Sequence, residues 1–387
     1  MNAKWFVGAL LSTALLVGCA SPSDESITAD SANTPVATEN SDVEQNSPEE
    51  VETEAAASLY EQGCDLFNAG KLEHKYLEIY RELLTDICTD FEMKYELVEV
   101  RRSQKVDKSD LEFYVDANVF ALSYWDQYTT NGMTKRYLVL LMEQEKDWWE
   151  EQLDELLAIE PVWFGPSAEA GHCYAAEAAA ICPKLYVGNE GSTNGDYDVL
   201  TTMIGSRLEW TPFRNVIAVH ESTHGYQTTE RLGHWRYWFV EGQATYFELA
   251  VSILAPSLAG ANWRDESIGN SWRRDENPFR ATTAQEAYEF LRNCDGPQEC
   301  DGFRYVGASF AHELLVNTYG IETYKAWNRA IAEQLPDFVW EGQLQEERDL
   351  GNRQFAELFN EYFEIDIDQW EQVNYSEYLV EQFAVGQ

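Results

Sequence analysis

The sequence predicts an α+β fold that is predominantly helical, with a small sheet in the first half of the chain. From residue 59 onward, most apolar side chains recur at the spacing of amphipathic helices. Strand patterns are few: residues 95–101 alternate in polarity, residues 137–142 form an apolar run, and residues 184–187 predict a third, short strand. The 387 residues, 44% of them hydrophobic, can bury a core for one large domain or two moderate ones.

Residues 1–19 form a targeting segment that precedes the fold. Lys4 supplies a positive charge, residues 5–17 are mostly apolar, and the segment ends in Leu16-Val17-Gly18-Cys19. This apolar stretch is too short for a membrane span and is typical of a signal peptide. Its end resembles a bacterial lipobox, which implies cleavage before Cys19 and attachment of lipid to the cysteine thiol. The alternative is an ordinary secretory signal in which the cysteine occurs by chance.

The lipobox resemblance implies a protein that is lipid-anchored on the extracytoplasmic side of the cell envelope. In a Gram-negative bacterium, Ala20 in the position after the cysteine, where Asp is absent, favours the outer membrane. Residues 20–57 contain no Lys, no Arg and no aromatic side chain, so they cannot bury enough apolar surface to fold. We expect them to form a disordered acidic tether between the membrane and the folded part of the chain.

The charge balance bears on the partners of the protein. The chain has 68 acidic and 27 basic residues and a formal net charge of −41. Such a surface repels phosphate groups, so the sequence predicts no nucleic-acid partner. The charge favours solubility, but it identifies neither a substrate nor an oligomeric state.

Residues 58–133 are expected to be an N-terminal, mainly helical region. Residues 59–95 have apolar side chains at helical spacing and predict two helices. The strand at residues 95–101 follows them. Residues 110–126 mix apolar and aromatic positions and favour neither a helix nor a strand.

Six cysteines remain after Cys19, and their number fits an oxidising compartment. Six cysteines allow 15 disulfide connectivities, and nearest-neighbour pairing is the simplest of them. A thiolate metal site is the weaker alternative, because no C-x-x-C motif occurs. The expected bridges are Cys64–Cys88, Cys173–Cys182 and Cys294–Cys300.

Residues 134–387 are expected to form a second region. It begins with the strand at residues 137–142 and an amphipathic helix at residues 146–159. Further helices are expected over residues 211–232, 237–254 and 285–291, and from residue 303 to near the C terminus. Thr211 as N-cap and Pro212 in the first helical position mark the start of the first of these.

The helix predicted from residue 211 carries the motif His220-Glu221-Ser222-Thr223-His224, which follows the apolar run at residues 216–219. Positions four apart lie on one face of a helix, so His220 and His224 can bind one metal ion together. Glu221 points to a neighbouring angle, from which it can take a proton from a water at that ion.

A carboxylate suited to complete this site stands seventeen residues after His224. Glu241 lies within Trp238-Phe239-Val240-Glu241-Gly242-Gln243-Ala244, near the start of the next predicted helix. Two histidines and one carboxylate leave the fourth tetrahedral position open, which is the arrangement expected of a catalytic zinc. The predicted cofactor is therefore Zn²⁺, bound by His220, His224 and Glu241.

Together these two motifs resemble the gluzincin metallopeptidases, whose pattern is H-E-x-x-H followed by a glutamate ligand in a second helix. The resemblance extends over about residues 205–325. It implies a zincin-like catalytic domain over residues 134–387, with a small sheet, an active-site helix and a C-terminal helical lobe. It also implies a zinc-dependent peptidase that acts on peptides or proteins, with Glu221 as general base. An edge strand beside the active-site helix receives extended substrate in zincins, and residues 185–187 are the candidate here.

The resemblance implies one more catalytic residue, a tyrosine that stabilises the oxyanion. The usual tyrosine stands three residues before a glycine. Here Tyr305 stands two residues before Gly307, and Arg304 occupies the expected position. Tyr305 is nevertheless the candidate, with a core tyrosine as the alternative. His172, His234 and His312 are further candidates, although a structural or surface role is commoner for such histidines.

Other parts of the site stay open. Glu248 lies two helical turns after Glu241, where it can orient a ligand or be a solvated helix carboxylate. The chain has no G-A-M-E-N-type segment resembling that of the aminopeptidase branch, which favours an endopeptidase. Two other functions remain as alternatives. One is a non-catalytic surface-anchored binding protein that retains a structural metal site, and the other is a zinc hydrolase of non-peptide bonds.

Overall fold

The computed structural model describes residues 58–384 with several gaps. The residues not described within this range are 90, 105–107, 131, 134, 142–147, 149–150, 153–185, 189–196, 204–210, 231, 234, 256–263, 266–267, 269–278, 294–300 and 337–344. In the described part of the chain, no helix has both the length and the apolar character needed to cross a membrane. The predicted signal segment, the tether and the second and third cysteine pairs lie outside the described residues.

The N-terminal region begins with the two predicted helices, α1 (Leu59–Asn68) and α2 (Arg81–Ile87). A capping box starts α1: the Ser58 hydroxyl accepts from the Glu61 amide, and the Glu61 carboxylate accepts from the Ser58 amide. The predicted disulfide between Cys64 and Cys88 is confirmed, and it joins α1 to the end of α2.

The small sheet has four described strands, β1 (Val98–Arg102), β2 (Lys135–Leu141), β3 (Tyr186–Gly188) and β4 (Tyr197–Met203). Their order is β1-β2-β4-β3, with β1, β2 and β4 parallel and β3 antiparallel to β4 at one edge. The three predicted strands correspond to β1, β2 and β3, each shifted by a few residues at most.

Residues 108–126 form a helix, α3 (Lys108–Asp126), which crosses from β1 to β2. A crossover of this kind is required because the two strands are parallel. Residues 117–125 of α3 are all buried, so this part of the helix has no solvent-exposed face. A helix without a polar face lacks the 3.6-residue pattern, which is why the sequence did not distinguish it from a strand.

The metal motifs lie on two long helices, α4 (Thr211–Thr229) and α5 (Val240–Leu254). Helix α4 packs against α3 on one side and against α5 on another. Every residue of α5 except Glu241 is buried. Helix α5 also packs closely on the helix at Asp301–Tyr319, since a Cβ at Gly242 would lie only 2.5 Å from the Ala308 carbonyl oxygen.

The C-terminal part is helical, as predicted. Its elements are α6 (Ala284–Asn293), α7 (Asp301–Tyr319), α8 (Ile321–Gln334), α9 (Gln345–Phe363), α10 (Ile367–Trp370), a π-helical turn (Glu371–Tyr375) and α11 (Ser376–Ala384). They enclose Trp238, which is fully buried and contacts the rings of Trp327, Phe355, Phe359 and Trp370. Trp238 also donates from Nε1 to Glu371 at 2.8 Å.

One core links the two regions that were expected on either side of residue 133. Strand β1 pairs with β2 across this boundary, and α3 packs against α4. Among the described residues, nearly all buried apolar side chains belong to one cluster that extends from Tyr60 to Phe383. The fold is therefore predominantly helical with a small sheet, and residues 58–133 pack directly against the helix that carries the H-E-x-x-H motif.

Candidate metal centre

Helices α4 and α5 bring the three predicted ligands to one point. The Nε2 atoms of His220 and His224 are 3.1 Å apart. The Oε2 atom of Glu241 lies 3.3 Å from Nε2 of His220 and 3.4 Å from Nε2 of His224. A tetrahedral zinc about 2.0–2.1 Å from each ligand would separate its ligand atoms by roughly 3.3 Å. The triangle of donor atoms therefore has the size that a zinc ion requires.

The outer nitrogen of each histidine contacts a side-chain oxygen. Nδ1 of His220 lies 2.9 Å from Oε2 of Glu248, and Nδ1 of His224 lies 2.7 Å from Oε1 of Gln227. A carboxylate or amide oxygen only accepts, so each Nδ1 carries the proton and donates it. Each Nε2 then presents its lone pair to the centre of the triangle. A metal ligand needs this tautomer.

Of these two partners, the sequence had indicated Glu248 as a candidate but not Gln227. Glu248, whose role was left open, is 8% exposed and orients His220 from two turns further along α5. Gln227 was not predicted. Its position three residues after His224 on the same helix was the available signal, because such residues are neighbours on the helix surface.

The donor set is incomplete without a cation. Oε2 of Glu241 is buried and has no hydrogen-bond partner among the described residues. The two ring nitrogens that lie 3.3 and 3.4 Å from it also present lone pairs. Three electron-rich atoms this close repel one another unless a positive charge lies between them. Of the described residues, these three form the group of His, Cys, Asp or Glu side chains whose ligand atoms could hold one metal ion.

The ionisation of these side chains also indicates a demand for positive charge. Burial lowers the pKa of His220, but the carboxylates of Glu241 and Glu248 outweigh it, and the pKa is raised well above its ordinary value. Burial raises the pKa of Glu241, but the neighbouring His224 and His220 outweigh it, and the pKa is held well below its ordinary value. The site therefore stabilises a cation, whether the cation is a proton or a metal ion.

Glu221 is partly exposed beside the ligands and does not belong to the ligand triangle. Burial raises the pKa of its carboxyl group, against the opposing effect of the nearby histidines. A raised pKa makes a carboxylate a stronger base, which suits proton transfer near neutral pH.

A buried arginine holds the backbone at Glu221. Arg136 of β2 is fully buried and donates from Nη2 to the Glu221 carbonyl oxygen at 3.2 Å. Its Nη1 donates to Ser222 Oγ at 2.8 Å and to Asn118 Oδ1 at 3.0 Å. Arg136 was not predicted, because nothing in the local pattern of β2 indicates a contact with α4.

Tyr305, the predicted oxyanion residue, lies beside the triangle. Its ring centroid is 5.9 Å from that of His220, and its side chain is partly exposed. His312 is fully buried and contacts Tyr324 and the backbone of Trp238, so it is a core histidine. His172 and His234 lie outside the described residues. The candidate edge strand, observed as β3, lies at the edge of the sheet and in contact with α4.

Comparison of the chain with family models, with curated proteins and with solved structures finds no match. We therefore infer the function from the geometry of the site. Three converging donors, two oriented imidazoles, a carboxylate of raised pKa and a neighbouring phenol form one group. Such a group can bind a divalent cation and move a proton beside it.

Proposed function

We propose that this protein is a zinc-dependent hydrolase of peptide bonds, of gluzincin type, with a zincin-like catalytic domain. The observation that carries the proposal is the convergence of three lone pairs, from His220, His224 and Glu241, at the spacing of tetrahedral zinc ligands. Both imidazoles are held in the tautomer that a metal needs, and a general base is adjacent.

The residues divide the chemistry among themselves. His220, His224 and Glu241 hold the zinc ion, which when bound supplies a Lewis acid to polarise the scissile carbonyl group. Glu221 accepts a proton from the attacking water and transfers it to the leaving amine. Tyr305 donates from its hydroxyl to the carbonyl oxygen as negative charge develops there. The edge strand β3 binds substrate in extended form by backbone hydrogen bonds.

Substitution of the general base tests the proposal most directly. We expect Glu221→Gln to lower the rate of peptide hydrolysis by roughly 10²–10⁴-fold, the usual contribution of general acid–base catalysis. Zinc content should not change, because Glu221 is not a ligand. The measurements are cleavage of a fluorogenic peptide library and elemental analysis of protein purified without chelator.

The other outcomes of this experiment favour the alternatives. A wild-type protein that binds zinc and cleaves no peptide, but hydrolyses an ester or amide in a Glu221-dependent manner, would be a zinc hydrolase of non-peptide bonds. Bound zinc without any hydrolysis would favour a non-catalytic binding protein with a structural metal site. A wild-type protein without zinc, even after zinc is added, would contradict the proposal.

We propose further that the protein is anchored in the cell envelope, on the extracytoplasmic side, by lipid on Cys19. The lipobox-like end of the signal segment and the Cys64–Cys88 disulfide support this placement, since disulfides persist in oxidising compartments. We expect Cys19→Ser to move the protein from the membrane fraction to the soluble fraction. Unchanged membrane association in that variant would contradict a lipid anchor at this residue.

A further inference from the structure

A continuous chain of buried polar side chains leads away from His224 into an otherwise aromatic core. Gln227 contacts His224 and also donates from Nε2 to Oε1 of Gln243 at 2.9 Å. Nε2 of Gln243 donates to the Tyr324 hydroxyl at 3.0 Å. The Tyr324 hydroxyl lies 2.7 Å from Nδ1 of His312. The chain thus joins α4 to α5, α8 and α7.

The direction of the first link follows from a backbone carbonyl. Nε2 of Gln227 donates to the carbonyl oxygen of Val240 at 2.9 Å, and a carbonyl oxygen only accepts. The nitrogen of the Gln227 amide must therefore face α5, so its oxygen faces His224. An amide flipped by 180° would set two oxygens against each other at Val240. The Gln227 oxygen therefore requires the proton of His224 on Nδ1.

Two other backbone carbonyls orient the rest of the chain. Nδ2 of Asn328 donates to the Tyr324 carbonyl at 2.9 Å, so Oδ1 of Asn328 faces Gln243 and accepts from its Nε2 at 2.9 Å. Nε2 of His312 lies 3.1 Å from the Trp238 carbonyl oxygen and donates to it. Nδ1 of His312 therefore accepts from the Tyr324 hydroxyl. The acceptor of each hydrogen-bond donor in the chain is therefore defined.

We propose that this chain is a positioning device for the metal centre, in which Gln227, Gln243, Tyr324 and His312 fix the tautomer and the aim of His224. The proposal rests on the metal site of the proposed function, but it does not depend on hydrolysis. The chain contacts the carbonyl oxygens of Val240 and Trp238, one and three residues before Glu241. It therefore ties the orientation of His224 to the start of the helix that carries the third ligand.

The location of the chain argues that it has a role beyond packing. All of its members are at most 5% exposed. The rings of Trp238 and Phe239 contact His312, and the ring of Trp327 contacts Tyr324. Polar groups in such a core are costly unless each is hydrogen-bonded, and apolar residues of similar volume would fill the same space. A complete polar chain that ends on a metal ligand is explained if the ligand must be held in one tautomer.

The experiment measures the zinc affinity of the full-length protein by competition with a chromophoric chelator. The variants are Gln227→Met, Gln243→Met, the double variant and the milder Tyr324→Phe. The control is Tyr375→Phe, which removes a buried hydroxyl that donates to the Gly307 carbonyl and is not part of the chain. The absorption spectrum of the cobalt-loaded protein reports ligand geometry in each variant.

We expect Gln227→Met to weaken zinc binding by roughly 10–100-fold, the usual effect of losing an outer partner of a metal ligand. Gln243→Met and Tyr324→Phe should weaken it less and should shift the cobalt spectrum, whereas Tyr375→Phe should change neither. If Gln243 acts through Gln227, adding Gln243→Met to Gln227→Met should cause no further loss.

Two results would overturn the proposal. One is a zinc affinity of Gln227→Met within about twofold of the wild type, because an outer partner normally matters more than this. The other is a double variant whose loss equals the product of the two single losses, which would indicate independent effects on stability. A wild type that binds zinc, shows the expected affinity series and cleaves no peptide would support this proposal while contradicting the peptidase.

Discussion

Two buried charged clusters flank helix α7, and they satisfy their charges in different ways. In the first, Arg264 donates to Glu313 from both Nη atoms, at 2.7 and 3.1 Å, and both side chains are at most 3% exposed. Tyr378 also donates to Glu313. In the second, the metal triangle, Glu241 meets two imidazole nitrogens that present lone pairs. The first cluster contains its own counter-charge, whereas the second presents three electron-rich atoms to a cation, which can be a proton or a metal ion.

This difference distinguishes a self-contained ion pair from a candidate cation site. A buried ion pair is tolerated because each charge offsets the desolvation of the other. Converging acceptors have no such compensation of their own, so they are stable only when a cation, either a proton or a metal ion, supplies the positive charge. Burial alone does not show whether a charged group belongs to a ligand site. The sign of the charge on the groups that face it is more informative.

The largest expected effect comes from breaking the self-contained cluster. Arg264→Met leaves the Glu313 carboxylate buried without its cation, and we expect the free energy of unfolding to fall by about 3–5 kcal/mol. The double variant Arg264→Met with Glu313→Leu should recover much of this loss, because no charge is then left unpaired. Urea denaturation measures both. Equal losses in the single and double variants would show that the pair does not act as a unit.

A smaller effect is expected from the metal triangle, where the measured quantity is zinc affinity and not the free energy of unfolding. Glu241→Ala removes a proposed ligand, so we expect zinc affinity to fall by at least roughly 100-fold, more than the loss of an outer partner costs. The matched control is Glu230→Ala, which removes a buried carboxylate at the end of α4 that accepts from Thr130. This control should weaken the fold and leave zinc affinity unchanged. Full zinc binding by Glu241→Ala would remove Glu241 from the ligand set.

The smallest effect concerns His312, which is neutral and lies at the far end of the polar side-chain network behind the candidate metal centre. Burial lowers the pKa of His312 to about 3, so the unfolded chain binds more protons than the folded one between that pH and the ordinary value. Protonation of His312 in the unfolded chain therefore costs no stability above about pH 6.5, and the free energy of unfolding decreases as the pH falls below this value. Between pH 7.5 and 5.5, we expect a loss of about 1.4 kcal/mol from this group.

The comparison of wild type with His312→Gln isolates this contribution, since all other titrating groups are shared. Glutamine can donate to the Trp238 carbonyl and accept from Tyr324, so the fold should persist. The unfolding free energy of the variant should depend less on pH over this range, by the amount given above. Parallel pH profiles for the two proteins would contradict a neutral, buried His312.

The parts of the fold that were predictable are those with a local signal. Two helices before residue 95, the Cys64–Cys88 bridge and the helices that carry His220 and Glu241 all follow from apolar spacing or cysteine proximity. Helix α3 was not predictable because it is buried around most of its circumference, which removes the amphipathic pattern. The share of residues 58–133 in the main core could not be predicted either, because the pairing of β1 with β2 joins segments 38 residues apart in register.

The sequence by itself determined the candidate ligand set. The spacing of four between His220 and His224 places them on one helical face wherever the helix lies, since the rise and turn per residue follow from backbone geometry. Only the tertiary structure decided which groups support those ligands. The amide of Gln227 is oriented by the Val240 carbonyl, and the Glu221 backbone is held by Arg136 from the sheet. Such contacts depend on how whole elements pack together, and no local pattern of residue types encodes them.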